Sequence, residues 1–119
     1  MITATITPRT LVIEGHAGYA PRGYDIVCEA VSILSETLAA CYPPERVTEI
    51  APGRAELDID NLTHDETVLL NAYITGMRML EESYPAHVRT KDERKTNANT
   101  QKPTDNSRPA GAGKDIVQA

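Results

Sequence analysis

Residues 10–41 read TLVIEGHAGYAPRGYDIVCEAVSILSETLAAC, and the change of periodicity inside this stretch decides the fold. Over the first six residues Leu11 and Ile13 alternate with Val12 and Glu14 until Gly15 ends the run, the pattern of a half-buried strand. From Tyr24 to Cys41 the apolar residues Val27, Ala30, Val31, Leu34 and Leu38 recur at helical spacing and define one buried stripe. Between strand and helix lies a short loop punctuated by Gly18, Pro21 and Gly23. A rigid strand end and a rigid helix start are thus joined by a segment loose enough to fold back over them.

Upstream, Met1 to Thr7 reads as a second strand, turning through Pro8-Arg9 into the first. Downstream, Pro43-Pro44 stops the helix. Val47 to Ala51 and Ala55 to Ile59 then read as strands joined at Pro52-Gly53, a pair suited to a type II turn. Ala55, Leu57 and Ile59 share one face of the later strand, with Glu56, Asp58 and Asp60 on the other. Thr63 and Glu66 have the spacing of a capping box opening a helix that runs to about Ser83. Its expected stripe is Leu69, Ala72, Tyr73, Gly76, Met77 and Leu80. Gly76 costs a helix roughly 1 kcal/mol relative to Ala, which suggests close packing there, against the first helix or across a dimer interface. A short extended piece follows Tyr84-Pro85. The order ββαββα plus a short final strand predicts an α+β fold, a sheet of about four to five strands covered by two helices.

With 119 residues the chain suits one domain with a modest core, built without Trp or Phe. That domain is expected over residues 1–90. From Lys91 onward the chain is polar and rich in Pro and Gly, with almost no large apolar residue before Ile116-Val117, so 91–119 is expected to be a disordered tail. No apolar run approaches the ~20 residues that span a membrane, and no secretory signal opens the chain, so the expected setting is cytoplasmic, with no membrane partner. A net charge of −5 argues against direct nucleic-acid binding. Acidic residues such as Glu45, Glu49, Glu56 and Asp65 suit a basic protein partner instead.

The chemistry concentrates in residues 15–32. Asp25 is placed to cap the helix by accepting the backbone N–H of Cys28. Cys28 then sits in the first turn, at the positive end of the helix dipole, a placement that favours the reactive thiolate. His16 stands at the strand end, and the loop is long enough to bring its imidazole to the thiol. In a Cys–His pair the imidazole takes the thiol proton and later returns one to the leaving amine. Free N–H groups at the helix start or in the glycine loop offer an oxyanion site. Spacing by itself leaves a plainer reading open: Cys28 a small buried hydrophobe, His16 a surface residue, Asp25 only a cap and Ser32 only a polar neighbour. Cys28 and Cys41 would lie ~20 Å apart along one helix, too far to bridge. With no CxxC or HExxH motif, neither a metal nor another cofactor is expected. Cys41 reads as a helix-end core residue, His64 as a helix-start surface residue and His87 as a strand surface residue.

Gly15-His16-Ala17, then Gly23, then Asp25-Ile26-Val27-Cys28, then Ala30-Val31-Ser32, resembles the signature of the ribosomal-processing cysteine protease family (Prp). Tyr84-Pro85 at the close of the second helix is similar to that family too, and the likeness covers residues 1 to about 90. The resemblance implies a bacterial cysteine endopeptidase, usually a homodimer, that removes the N-terminal extension of a large-subunit ribosomal protein. It implies Cys28 as nucleophile, His16 as general base, Asp25 and Ser32 as supporting residues, and the loop holding Gly18 and Gly23 as the segment that admits the peptide. One departure is Glu29, where the family commonly has alanine; a charge there would oppose thiolate formation if aimed at Cys28, and bear on substrate choice if aimed at solvent. Two other readings fit the same scaffold: a non-catalytic dimeric interaction protein, and a phage relative that processes a capsid or scaffold protein.

Overall fold

The computed structural model describes residues 1–21 and 23–94. Two strands open the chain, β1 (Ile2–Ile6) and β2 (Thr10–Gly15), followed by helix α1 (Ile26–Cys41). A single 3₁₀ turn, Pro44–Arg46, leads into β3 (Val47–Ala51) and β4 (Arg54–Asp58). Helix α2 (His64–Ser83) and strand β5 (Val88–Asp92) complete the order. The five strands form one mixed sheet in the order β3-β4-β2-β1-β5, antiparallel except for the β1–β5 pair. This is the α+β architecture expected from the sequence.

Period-2 alternation sends Ile2, Ala4 and Ile6 of β1, Leu11 and Ile13 of β2, and Leu57 of β4 to the buried side of the sheet. The helices cover that side, contributing Val27, Val31 and Leu38 from α1 and Leu70, Tyr73, Ile74 and Met77 from α2. The α2 stripe therefore differs from the expected one. Leu70 and Ile74 are buried, Leu69 and Leu80 are half-buried, and Ala72 is exposed. Both sets satisfy i, i+3, i+4 spacing, and the facing helix and sheet decide which is turned inward. Gly76 meets the first helix: a Cβ there would lie 3.1 Å from Leu34 Cδ1.

Local signals acted where the sequence placed them. Thr63 and Glu66 form a reciprocal capping box, each side chain bonding the other's backbone N–H. Gly53 has φ +77°, the value a type II turn requires at its third residue. Lys91 and Asp92 belong to β5, so the sheet runs past residue 90, while the tail expected over 91–119 lies, from residue 95 onward, outside the described residues. Among the described residues no helix is long and apolar enough to cross a membrane.

Cys41 is not a core residue. It ends α1 exposed, because the stripe through Val31 and Leu38 continues to Tyr42, which is 4% exposed, and Cys41 lies a step of about 100° away. The Tyr42 hydroxyl donates to the Glu66 carbonyl at 2.8 Å, fastening the end of α1 to the start of α2.

Candidate functional site

Asp25 assembles the site. It is the buried charged residue of the described chain, and its two oxygens divide the surroundings between them. Oδ1 accepts the N–H groups of Val27 and Cys28 at 3.0 and 2.9 Å, capping α1. Oδ2 accepts the N–H groups of Tyr19 and Ala20 at 2.9 and 3.3 Å, drawing the loop onto the helix start. Burial pushes the carboxyl upward, but the four donors, that of Cys28 foremost, outweigh it and hold the group below its ordinary value of 3.8. The expected cap is present; no hydrogen bond runs from Asp25 to His16.

Cys28 is half-buried in the first turn of α1. The backbone N–H of Ala17 donates to its Sγ at 3.3 Å. Ala17 in turn is held by His87, whose Nδ1 lies 2.8 Å from the Ala17 carbonyl oxygen. His87 is thus half-buried against the loop instead of lying free on a strand surface, whereas His64 is exposed at the start of α2 as expected.

His16 follows β2 and is exposed. The Gly15 N–H donates to the Gly53 carbonyl at 2.9 Å, which brings the β3–β4 turn under the histidine. The imidazole packs over Gly53, its Nε2 2.9 Å from the place a Cβ would occupy. Among the described residues no hydrogen bond joins this ring to the thiol. Catalytic hydrogen bonds are often unmade in an empty site and tighten on substrate binding.

A cleft of about 660 Å³ gathers the expected residues: His16, Gly18, Gly23, Asp25, Cys28 and Ser32 all line it. Ser32 is exposed one turn along α1 from Cys28, and Gly18 and Gly23 both take positive φ. Glu29 and Glu36 stand on the same helix wall, and Glu29 is exposed. Across the cleft Arg54 is shared among Glu14, Glu49 and Glu56 at 2.9–3.0 Å. At the helix start Asp25 occupies the N–H groups of Val27 and Cys28, so these two are not free as oxyanion donors. Gly18 lines the cleft, and its N–H has no partner among the described residues.

Sequence reasoning missed three participants. Gly53 was legible as a turn residue but not as the floor under His16. Ala17 carried no polar side chain to draw notice, and His87, 70 residues away from it, showed no local signal.

Comparison with known proteins sets this arrangement among the cysteine proteases. The family model described as Cysteine protease Prp matches residues 1–89, and the chain belongs to that family. The Ribosomal processing cysteine protease Prp of Mycoplasma genitalium is 29% identical over 97 residues, covering 78% of this chain and 97% of the relative. The crystal structure of SMU.848 from Streptococcus mutans is 28% identical with a TM-score of 0.64, covering 80% of this chain and 96% of that one. The essential ribosomal processing protease Prp from S. aureus, in complex with a covalently linked product peptide, superposes with a TM-score of 0.67 at 20% identity, over 80% of this chain and 100% of its own.

Proposed function

We propose that this cysteine protease is an endopeptidase that removes a short N-terminal extension from a large-subunit bacterial ribosomal protein, with Cys28 as nucleophile and His16 as general base. The observation that carries the reading is the Ala17 N–H aimed at the Cys28 sulfur on the wall of a cleft that His16 also lines. That N–H gives a hydrogen bond to the atom proposed to attack.

In this reading the extension lies along the cleft and His16 swings from Gly53 toward Cys28 to take its proton. The thiolate attacks the scissile carbonyl carbon, and the Gly18 N–H, which has no partner among the described residues, is a donor for the resulting oxyanion. The imidazolium gives its proton to the departing amine, leaving a thioester. Water, deprotonated by the same imidazole, hydrolyses the thioester and restores the thiol. Asp25 supports the site by holding loop and helix start together, and Ser32 lines the path one turn beyond the thiol. Glu29 and Glu36 leave the helix wall acidic, which suits a basic protein substrate. The names of the relatives, and the peptide described with the S. aureus protein, support the same class of substrate. By the same reading the enzyme is a cytoplasmic homodimer.

The test is incubation of wild type and Cys28→Ala with the precursor ribosomal protein bearing its extension, read by intact mass. A single cut near the N-terminus, present with wild type and absent with the variant, is the expected result. A precursor left whole by wild type would reject the substrate.

A further inference from the structure

His87 stands on a fixed frame. Its backbone N–H donates to the Tyr84 carbonyl and its own carbonyl accepts the Ile2 N–H, both at 2.9 Å, so the end of α2 and the start of β1 hold it from opposite sides. From there the ring reaches the loop. A carbonyl oxygen only accepts, so the 2.8 Å contact between Nδ1 and the Ala17 oxygen places a proton on Nδ1. The ring also meets Tyr19 edge-on, with centroids 5.4 Å apart and planes at 84°, and Tyr19 makes the same kind of contact with Tyr84 at 5.4 Å and 78°.

The loop is therefore held from two sides. Asp25 takes the N–H groups of Tyr19 and Ala20 from the helix side. His87 takes the carbonyl of Ala17 from the sheet side. The Ala17 methyl is buried, with the residue 2% exposed, and that burial fixes where Ala17 sits. A buried methyl leaves rotation about its own axis open. The Ala17 N–H shares its peptide plane with the His16 carbonyl, which accepts the Met1 amino group. The bond to His87 holds the next plane, so that with the methyl buried the two anchors together set the turn of the backbone at Ala17.

We propose that His87 is a positioning residue for the reacting thiol: by holding the Ala17 carbonyl it aims the Ala17 N–H at Cys28 Sγ. The inference rests on Cys28 being the nucleophile. His87 is not among the residues that line the cleft, and it reaches the thiol through Ala17. Any side chain that supplies an N–H at the Nδ1 position can do the same work, which separates this role from that of a general base.

Two variants of the full chain divide the donor from the ring. His87→Phe keeps an aromatic face for Tyr19 and removes the donor, while His87→Asn keeps a side-chain N–H near the Nδ1 position and gives up the ring. Each is read by the iodoacetamide alkylation rate of Cys28, with Cys41 as internal reference, and by kcat and KM on the precursor. His87→Phe should slow Cys28 alkylation and kcat about tenfold, the scale of one hydrogen bond to a charged atom, with KM within about twofold. His87→Asn should recover most of the loss, and Cys41 should react alike in all forms. Wild-type alkylation and kcat in His87→Phe would overturn the proposal. So would equal losses in both variants with a lowered Tm, the mark of a packing role. The alkylation arm needs no substrate and reads the contact whatever the protein cleaves, whereas retained cleavage by Cys28→Ala would reject the nucleophile itself.

Discussion

The imidazole of His16 lies over Gly53, its Nε2 2.9 Å and its Cε1 3.2 Å from the place a β-carbon would take on that residue. The turn of one hairpin is thereby the floor for a side chain at the end of another strand. Gly53 also has φ +77°, so a side chain there is strained whatever the space. Gly53→Ala should cost about 1–2 kcal/mol of stability from the backbone conformation. By displacing His16 it should also lower kcat about ten- to hundredfold. Thermal melts and steady-state kinetics read the two effects separately, and a variant that is destabilised yet fully active would show that His16 does not depend on this floor.

The two cysteines provide an internal contrast. Cys41 is exposed and Cys28 half-buried, so access alone favours alkylation of Cys41. At pH 6 an ordinary thiol is mostly protonated and slow. Cys28 should nevertheless react with iodoacetamide at least about tenfold faster than Cys41. Cys28→Ala should abolish cleavage without unfolding, and Cys41→Ala should cleave normally. An inactive Cys41→Ala variant with a native fold would contradict the assignment.

Asp25 makes the loop sensitive to acid. Its carboxyl titrates below the ordinary 3.8 because the N–H groups of Cys28, Tyr19, Ala20 and Val27 outweigh the upward push of burial. A depressed carboxyl contributes stability that is present above its unfolded value and is lost as pH falls through its folded value. The loop should therefore stay docked down to about pH 4 and release below it. Amide exchange of Tyr19 and Ala20, followed from pH 6 to pH 2.5, should lose protection in that window. In Asp25→Ala these amides should already be unprotected at neutral pH.

Two tyrosines govern the alkaline limit. Burial raises Tyr73 to about 12 against the smaller opposing effect of its 3.0 Å hydrogen bond with Ser35. Burial, then the charge of Glu66, raises Tyr42 to about 12. Each raised group stabilises the fold fully below its unfolded value near 10, and that contribution is lost as pH rises through 12. Tyrosinate absorbance should show two of the five tyrosines titrating late, together with loss of the helical signal. Tyr73→Phe should remove one of them and cost about 1 kcal/mol for the lost hydrogen bond.

Gly76 sets the approach of the two helices. Alanine gains roughly 1 kcal/mol in a helix over glycine. The added β-carbon would stand 3.1 Å from Leu34 Cδ1 and 3.2 Å from Cδ2, which asks the leucine tip to move a few tenths of an ångström. Leu34 is half-buried and can move, so Gly76→Ala should raise Tm slightly. Gly76→Leu should lower it by several degrees, since a branched chain cannot be accommodated without parting the helices. A clear loss in Gly76→Ala would show that Leu34 is held rigidly.

Much of this molecule was legible along the chain because the deciding interactions are local. Strand alternation in residues 11–14, the Asp25 cap, the Thr63–Glu66 capping box and the Pro52-Gly53 turn each act within a few residues, and each formed where the pattern put it. The ordered run from Gly15 to Ser32 likewise carried the family, which the match over residues 1–89 established. What the sequence could not decide were orientations that depend on partners far along the chain. Helical spacing in α2 admits two overlapping stripes, and only packing against α1 and the sheet turned Leu70 and Ile74 inward. A helix-end cysteine looks apolar by composition, yet the core took Tyr42 and left Cys41 outside. The pairing of β1 with β5 brought His87 to Ala17, and the pairing of β2 with β4 brought Gly53 beneath His16. Sequence fixes which groups can react and where each element begins; contacts across the sheet, set by packing and register, decide which of those groups meet.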